Sequence, residues 1–216
     1  GKVQALMKGA LHTNELMAAI VARNTGLRTD RRMSHVFVMQ TPAYPKYLLI
    51  SDGALNIAPD LHTKRWIVQN AIDVANAIGI DSPKTAILAA TEEVDPHMPA
   101  TVDAAALCKM AERGQIIGGV LDGPLAFDLA VSKQAVKIKG LVSDVAGDAD
   151  ILIVPNIEAG NMLAKQLDYL AGAAAAGLVV GAQVPIILTS RSDSVRERLV
   201  SCALAKCYLA WKAGKP

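Results

Sequence analysis

The stretch DILIVPNIEAGNMLAKQL, residues 150–167, carries the pattern from which the fold is read. Asp150–Val154 is a run of strand length, apolar from Ile151 onward, and Pro155, which has no N–H to give to a ladder, ends it. A helix follows at once and is expected over Glu158–Ala176. A strand that is apolar at every position, not at alternate ones, is covered on both faces. The same alternation extends outward in both directions. Strands are expected at Val3–Met7, Ser34–Met39, Tyr47–Ile50, Thr85–Ala90, Gly119–Leu121, Leu178–Val180 and Pro185–Thr189. Helices are expected after Thr13, after Asp60 with Ile67, Ala71, Val74 and Ile78 at helical spacing, from Thr101 to Gly114, and over Ser194–Ala210. Asp122-Gly123-Pro124 is expected to stop its strand. Strand and helix in turn define an α/β class: a mixed or parallel sheet with helices on both faces.

Composition narrows the function classes. Of 216 residues, 52% are apolar and 4% aromatic, so a core is available and the chain is not a disordered one. A net charge of +2 lacks the basic excess of a nucleic-acid binder, and Arg28, Arg31 and Arg32 read as a solvated turn. Cys108, Cys202 and Cys207 show neither disulfide nor zinc spacing, which points to a reducing, cytoplasmic setting. Cys202 and Cys207 are expected as buried members of the last helix. Tyr169–Ser190 is uncharged, but its alanines and glycines, with Gln183 and Pro185, read as a helix end and two short strands, not a membrane span. His35, His62 and His97 have no ligand spacing, so no metal site is expected. Dinucleotide, Walker and nucleophile-elbow motifs are absent.

In α/β sheets ligands bind beyond the carboxyl ends of strands, which directs attention to three places. After Thr189 come Ser190, Arg191, Ser192, Asp193 and Ser194, where hydroxyls, a guanidinium and a helix start converge. That combination suits an anion, and it also suits an ordinary capping box between Ser194 and Glu197. After Val154 come Glu158, Gly160, Asn161 and Lys165. Asn161 and Lys165 are one helical turn apart and share a face. Gly160 allows a backbone or a ligand to approach, while Glu158 and Lys165 also read as a first-turn acid and a solvated lysine. After Met7 come Gly9, His12 and Thr13, the last able to cap a helix or touch an anion.

These motifs together resemble one family. DGPLAFDLA (Asp122–Ala130), AGDADILIVPNIEAGNMLAKQL (Ala146–Leu167) and VPIILTSRSDS (Val184–Ser194) are similar to the phosphate acetyl/butyryltransferases, as are KGALHT (Lys8–Thr13) and SDGALNIAPD (Ser51–Asp60). The TSR-x-DS form resembles the butyryl-type and hydratase-fused branch more than the acetyl-type form, which has LSRG there. The resemblance implies transfer of a short acyl group between CoA and inorganic phosphate, with acyl-CoA and phosphate as substrates, no resident cofactor and no metal. It implies two α/β domains, related to the isocitrate/isopropylmalate-dehydrogenase group, with the site between them. On this chain these are residues 1–32 with 177–216, and 33–176. It also implies a homodimer, with neither nucleic acid nor membrane as partner.

Carried over residue by residue, the resemblance makes Ser190 and Glu197 catalytic. Arg191 and Thr13 become phosphate-binding, and Asn161, Lys165 and Gly160 substrate- or CoA-binding. Glu197 stands seven after the serine, where acetyl-type members have Asp. The arginine that follows HT in those members has Ala19 in its place. Family members carry a further α/β segment ahead of the KG-x-x-HT strand, so the chain is expected to be a fragment. Two other functions fit the same fold class. One is a metal-dependent dehydrogenase of the isopropylmalate-dehydrogenase-like group, and the other a CoA-binding module without turnover. The acyl-carrier-protein phosphate transacylases are a further, more distant resemblance.

Overall fold

The computed structural model describes residues 2–189 and 193–214. Eight strands are found among them: β1 (Leu6–Met7), β2 (Ser34–Gln40), β3 (Leu48–Ser51), β4 (Lys84–Leu88), β5 (Val120–Leu125), β6 (Ile151–Ile153), β7 (Ala174–Val180) and β8 (Ile186–Ile187). The helices are α1 (Thr13–Ile20), α2 (Leu61–Ala77), α3 (Pro99–Glu112), α4 (Phe127–Val131), α5 (Lys133–Lys139), α6 (Ile157–Ala171) and α7 (Val195–Ala213). The strands form one sheet in the order β1-β8-β7-β2-β3-β6-β4-β5.

Strands β3, β6, β4 and β5 are parallel, β2 is antiparallel to both β3 and β7, and β8 is antiparallel to β7 and parallel to β1. The sheet is therefore mixed, as the apolar strands imply. The boundary expected at residues 176 and 177 falls inside β7.

Strand side chains alternate between two packed layers. On one face Val36, Leu49, Ile151 and Leu178 meet α2, α3 and α7 through Ile67, Val74, Leu107 and Leu204. Each fully buried Leu or Ile there is worth roughly 1.5–3 kcal/mol of burial. On the other face α4 and α6 pack on the parallel strands, with Leu129, Ala130 and Ala164 in one cluster with Leu48, Ile50, Leu152 and Val154. Helix α1 covers the far end of that face, where Ile20 meets Val179 and Ile186.

Several local expectations need correction. The helix at 157 stops at Ala171 because Gly172 takes a left-handed conformation, φ 61°, and caps it. Ala174–Ala176 open strand β7 instead of continuing the helix, since β7 pairs along the whole of β2 from Gln40↔Ala174 to Ser34↔Val180. Strand β5 continues through Asp122-Gly123-Pro124 instead of ending there. Strand β1 is two residues long, not five. Helices α4 and α5 lie in a stretch for which the sequence yields no element. Cys202 and Cys207 are exposed, not buried, because α7 turns Ser201, Leu204, Ala205 and Tyr208 inward. No helix among the described residues is long and apolar enough to cross a membrane.

An ion cluster fixes the amino ends of the parallel strands. Lys46 pairs with Asp148 at 3.1 Å and Asp150 at 2.7 Å, and Lys84 with Asp148 at 2.8 Å. The Lys84 ammonium beside Asp148 holds that carboxyl below the usual carboxylate range.

Candidate active site

Helices α6 and α1 cover the two sides of one sheet face and leave a gap between them over part of the middle strands, β2 and β7. Strand β8 pairs with β7 only at Val179↔Ile186, so the first half of β7 has no partner strand on that side among the described residues. There the Gly177 N–H donates to Ser201 Oγ of α7 at 3.1 Å instead. The result is a groove of about 990 Å³. Its floor is His35, Phe37 and Met39 of β2 with Ala175, Ala176 and Gly177 of β7. Its sides are Glu158, Asn161, Lys165 and Asp168 of α6, Thr13 and Asn14 of α1, and Asp193, Glu197 and Ser201 at the α7 end.

All three segments singled out in the sequence thus reach one place, but not all by strand ends. Strands β1 and β8 run opposite to β6. The α7 start and Thr13 follow their strands directly, whereas the length of α6, not the end of β6, forms the third wall.

Asn161 and Lys165 both line the groove, as their spacing requires. Asn161 Nδ2 also donates to the Gly53 carbonyl at 3.3 Å, and the Lys165 ammonium stands 6.0 Å from the Tyr169 ring centroid. Asn156 starts α6 by accepting from the Ala159 N–H at 2.9 Å. Glu197 lines the groove and is also the acid of a capping box: the Ser194 N–H donates to its Oε2 at 2.6 Å. Thr13 lines the groove as the first residue of α1; the N-cap is His12, whose N–H donates to Glu15 Oε2 at 3.0 Å.

Gly160 is not on the groove wall. A Cβ there would lie 2.6 Å from the Asp52 carbonyl oxygen and 2.8 Å from Val154 Cγ2, so its bareness serves the packing of α6 on the Asp52-Gly53 turn. Of the two approaches a glycine permits, this one is by backbone. Ser190 and Arg191 lie outside the described residues. In sequence they stand between Thr189 and Asp193, both of which line the groove.

His35 is the floor residue that sequence reasoning missed. It is 2% exposed, and burial lowers its pKa to about 4, so the ring is neutral near pH 7. Its Nδ1 has no hydrogen-bond partner among the described residues. The ring meets Phe37 edge-on with centroids 4.2 Å apart. The backbone N–H of His35 donates to Asp52 Oδ1 at 3.3 Å, an oxygen that also accepts from the Ala54 and Leu55 N–H groups. Asp52 is buried, which raises its pKa against the pull of these donors. The signal available in sequence was the alternation His35, Phe37, Met39 on one strand face.

Arg31 is held by Asp73 at 2.6 Å and lies over Trp66, while Arg28, Arg32 and His62 border a second cavity of about 720 Å³. Among the described residues no three or more His, Cys, Asp or Glu side chains converge in a way that could hold a metal ion.

A mixed sheet of this order, with motif residues from three distant segments around one groove on its face, defines an α/β protein of mixed-sheet class. Residues 1–206 match the family model described as phosphate acetyl/butaryl transferase, and the chain belongs to that family. It is similar to the phosphate acetyltransferase of Rhizobium meliloti, with 62% identity over 97% of this chain and 66% of that one. It is also similar to the phosphate butyryltransferase of Clostridium acetobutylicum, with 45% identity over 95% of this chain and 68% of that one. Among solved structures, a branched-chain phosphotransacylase from Enterococcus faecalis superposes with a TM-score of 0.86 at 38% identity, covering 96% of this chain and 74% of that one. Against the phosphate acetyltransferases of Rhizobium and Rickettsia the chain spans 58% to 66% of their length.

Proposed function

We propose that the groove catalyses reversible transfer of a short acyl group between CoA and inorganic phosphate. Acyl-CoA and phosphate give acyl phosphate and CoA. The observation that carries this is the meeting of Thr13, Asn161, Lys165 and Glu197, from three separate segments of the chain, on one groove with an uncharged floor. A phosphate oxygen attacks the thioester carbonyl carbon, a C–O bond forms, and the C–S bond breaks as the thiolate leaves. Arg191 and Thr13 hold the phosphate, and Ser190 donates a hydrogen bond to the developing oxyanion. Losing one such donor typically lowers kcat by about 10²–10³. Glu197 takes the proton that phosphate gives up and returns it to the CoA sulfur. Asn161 and Lys165 receive the acyl-CoA. Holding two anionic substrates side by side is the groove's main contribution, and the reaction as written needs only those two substrates.

The chain is proposed to act in the cytoplasm as a homodimer, on the strength of its thiols and of the family resemblance; light scattering tests the second point. The reaction itself is tested by thiol release from acetyl- and butyryl-CoA with and without phosphate. Release that requires phosphate and yields an acyl phosphate supports it. CoA binding with no acyl phosphate under any condition leaves a binding module instead.

A further inference from the structure

Polarity divides the groove. Its charged side chains among the described residues, Glu158, Lys165, Asp168, Asp193 and Glu197, all stand along α6 and around the start of α7. Its floor, built on β2 and β7, carries no ionised group. Of the species in the proposed reaction, phosphate and the phosphates of CoA are anions, and the acyl chain alone is apolar along its whole length. Desolvating a charge against the floor would be costly, whereas burying methylenes there is favourable by about 0.8 kcal/mol each.

The floor is also fixed in position. A Cβ on Gly177 would lie 2.7 Å from His35 Nε2, and a Cβ on Gly53 would lie 2.8 Å from Phe37 Cε2. Both rings therefore rest on places where a side chain is missing, and they brace each other edge-on. Nothing among the described residues hydrogen-bonds His35 Nδ1. Among the described residues the ring is thus held by packing and by its backbone tie to Asp52. A buried ring nitrogen with no hydrogen-bond partner among the described residues, beside a groove, is a poor choice for core filling alone.

Resting on the acyl-transfer reading of the groove, we infer that His35 is a specificity-determining residue. Its ring, seated with that of Phe37 on Gly177 and Gly53, is the part of the floor that serves as the end wall at which the acyl chain of bound acyl-CoA stops. Phe37 supports the wall, and Met39 continues it along the strand. Removing the ring lengthens the space for the chain; replacing it with another ring of similar size preserves the wall.

The test compares H35A, H35N and H35F with the unaltered chain against acetyl-, butyryl- and hexanoyl-CoA. It reads kcat/KM for phosphate-dependent thiol release and, separately, Kd by calorimetry. One methylene in an apolar pocket is typically worth about 10–200-fold in discrimination. H35A and H35N are expected to raise the hexanoyl-to-acetyl ratio at least about tenfold, and H35F to keep the original ratio. A ratio unchanged in H35A and H35N, or an equal loss for all three chain lengths, overturns the proposal. So does failure of every His35 variant to melt cooperatively, which makes the residue a scaffold element. An unaltered chain that binds acyl-CoA without turnover overturns the acyl-transfer reading alone, and the end wall is then judged from the Kd ratios. No binding of any acyl-CoA overturns both.

Discussion

Ser194 and Glu197 hold each other at the start of α7. The Ser194 N–H donates to Glu197 Oε2 at 2.6 Å, and the Glu197 N–H donates to Ser194 Oγ at 3.2 Å. The same carboxylate lines the groove, so a helix cap and a proposed base are one side chain. The geometry gives the base a fixed orientation at the cost of one of its lone pairs.

The two roles separate by substitution. E197Q keeps an oxygen for the Ser194 N–H, since glutamine also closes a capping box. Its stability is expected to fall by under about 1 kcal/mol, the usual worth of an acid in a first turn. Its kcat is expected to fall about 10²–10⁴-fold, the usual contribution of acid–base help. Urea titration and steady-state kinetics on the same preparation check both. Unchanged kcat in E197Q would leave Glu197 as a cap only.

Arg191 is proposed to hold phosphate, so its removal should act on one substrate. R191A is expected to raise the KM for phosphate at least about tenfold while the KM for CoA in the reverse direction moves less than about threefold, since a charge-assisted hydrogen bond is worth about 1.5–3 kcal/mol. R191K is expected to recover only part, because an ammonium lacks the guanidinium's bidentate fork. A phosphate KM that ignores both substitutions would take the residue out of this role.

Gly160 brings α6 onto the Asp52-Gly53 turn, and Asn161 Nδ2 reaches the Gly53 carbonyl from the next position. G160A would place a Cβ 2.6 Å from a backbone oxygen that no rotamer can move. It is expected to destabilise the fold by about 1–3 kcal/mol, the usual cost of overpacking. It should also raise the KM for CoA, because Asn161 and Lys165 move with the helix. A variant with unaltered melting temperature and KM would contradict the tight contact.

His35 also gives the fold a pH dependence. Its folded pKa of about 4 is below the ordinary value of 6.5, so between these pH values the unfolded chain binds the extra proton. Stability therefore rises with pH across this window and is lost as pH falls through it, with a slope of up to about 1.4 kcal/mol per pH unit. The total is about 3 kcal/mol between pH 6.5 and 4. Urea denaturation at stepped pH should show a flatter profile in H35F. Equal slopes in H35F and the unaltered chain would place the uptake on other groups; Asp148 is not one of them, because its depressed pKa acts only below the ordinary carboxylate value of 3.8.

Much of this was legible in residues 150–167, where strand, proline and amphipathic helix follow each other as the structure has them. Asn161 and Lys165 were placed on one face by spacing alone. The alanines from 173 to 176 misled, because alanine favours helix as an isolated residue, whereas here pairing with β2 decides. The left-handed Gly172 was the local sign of the break. The insertion of antiparallel β2 between β7 and β3 joins residues more than a hundred apart, which no local pattern encodes. His35 was missed for the same reason. Its alternation with Phe37 and Met39 gives the face it is on but not what lies beneath it, and its meaning comes from Gly177 on a strand far away in the chain.

The most direct test is a grid of initial rates of thiol release, varying butyryl-CoA at several fixed phosphate concentrations. Direct attack within one groove requires both substrates to be bound together, so the double-reciprocal lines should intersect and the rate should vanish as phosphate is removed. Parallel lines, or thiol release that proceeds equally without phosphate, would contradict it.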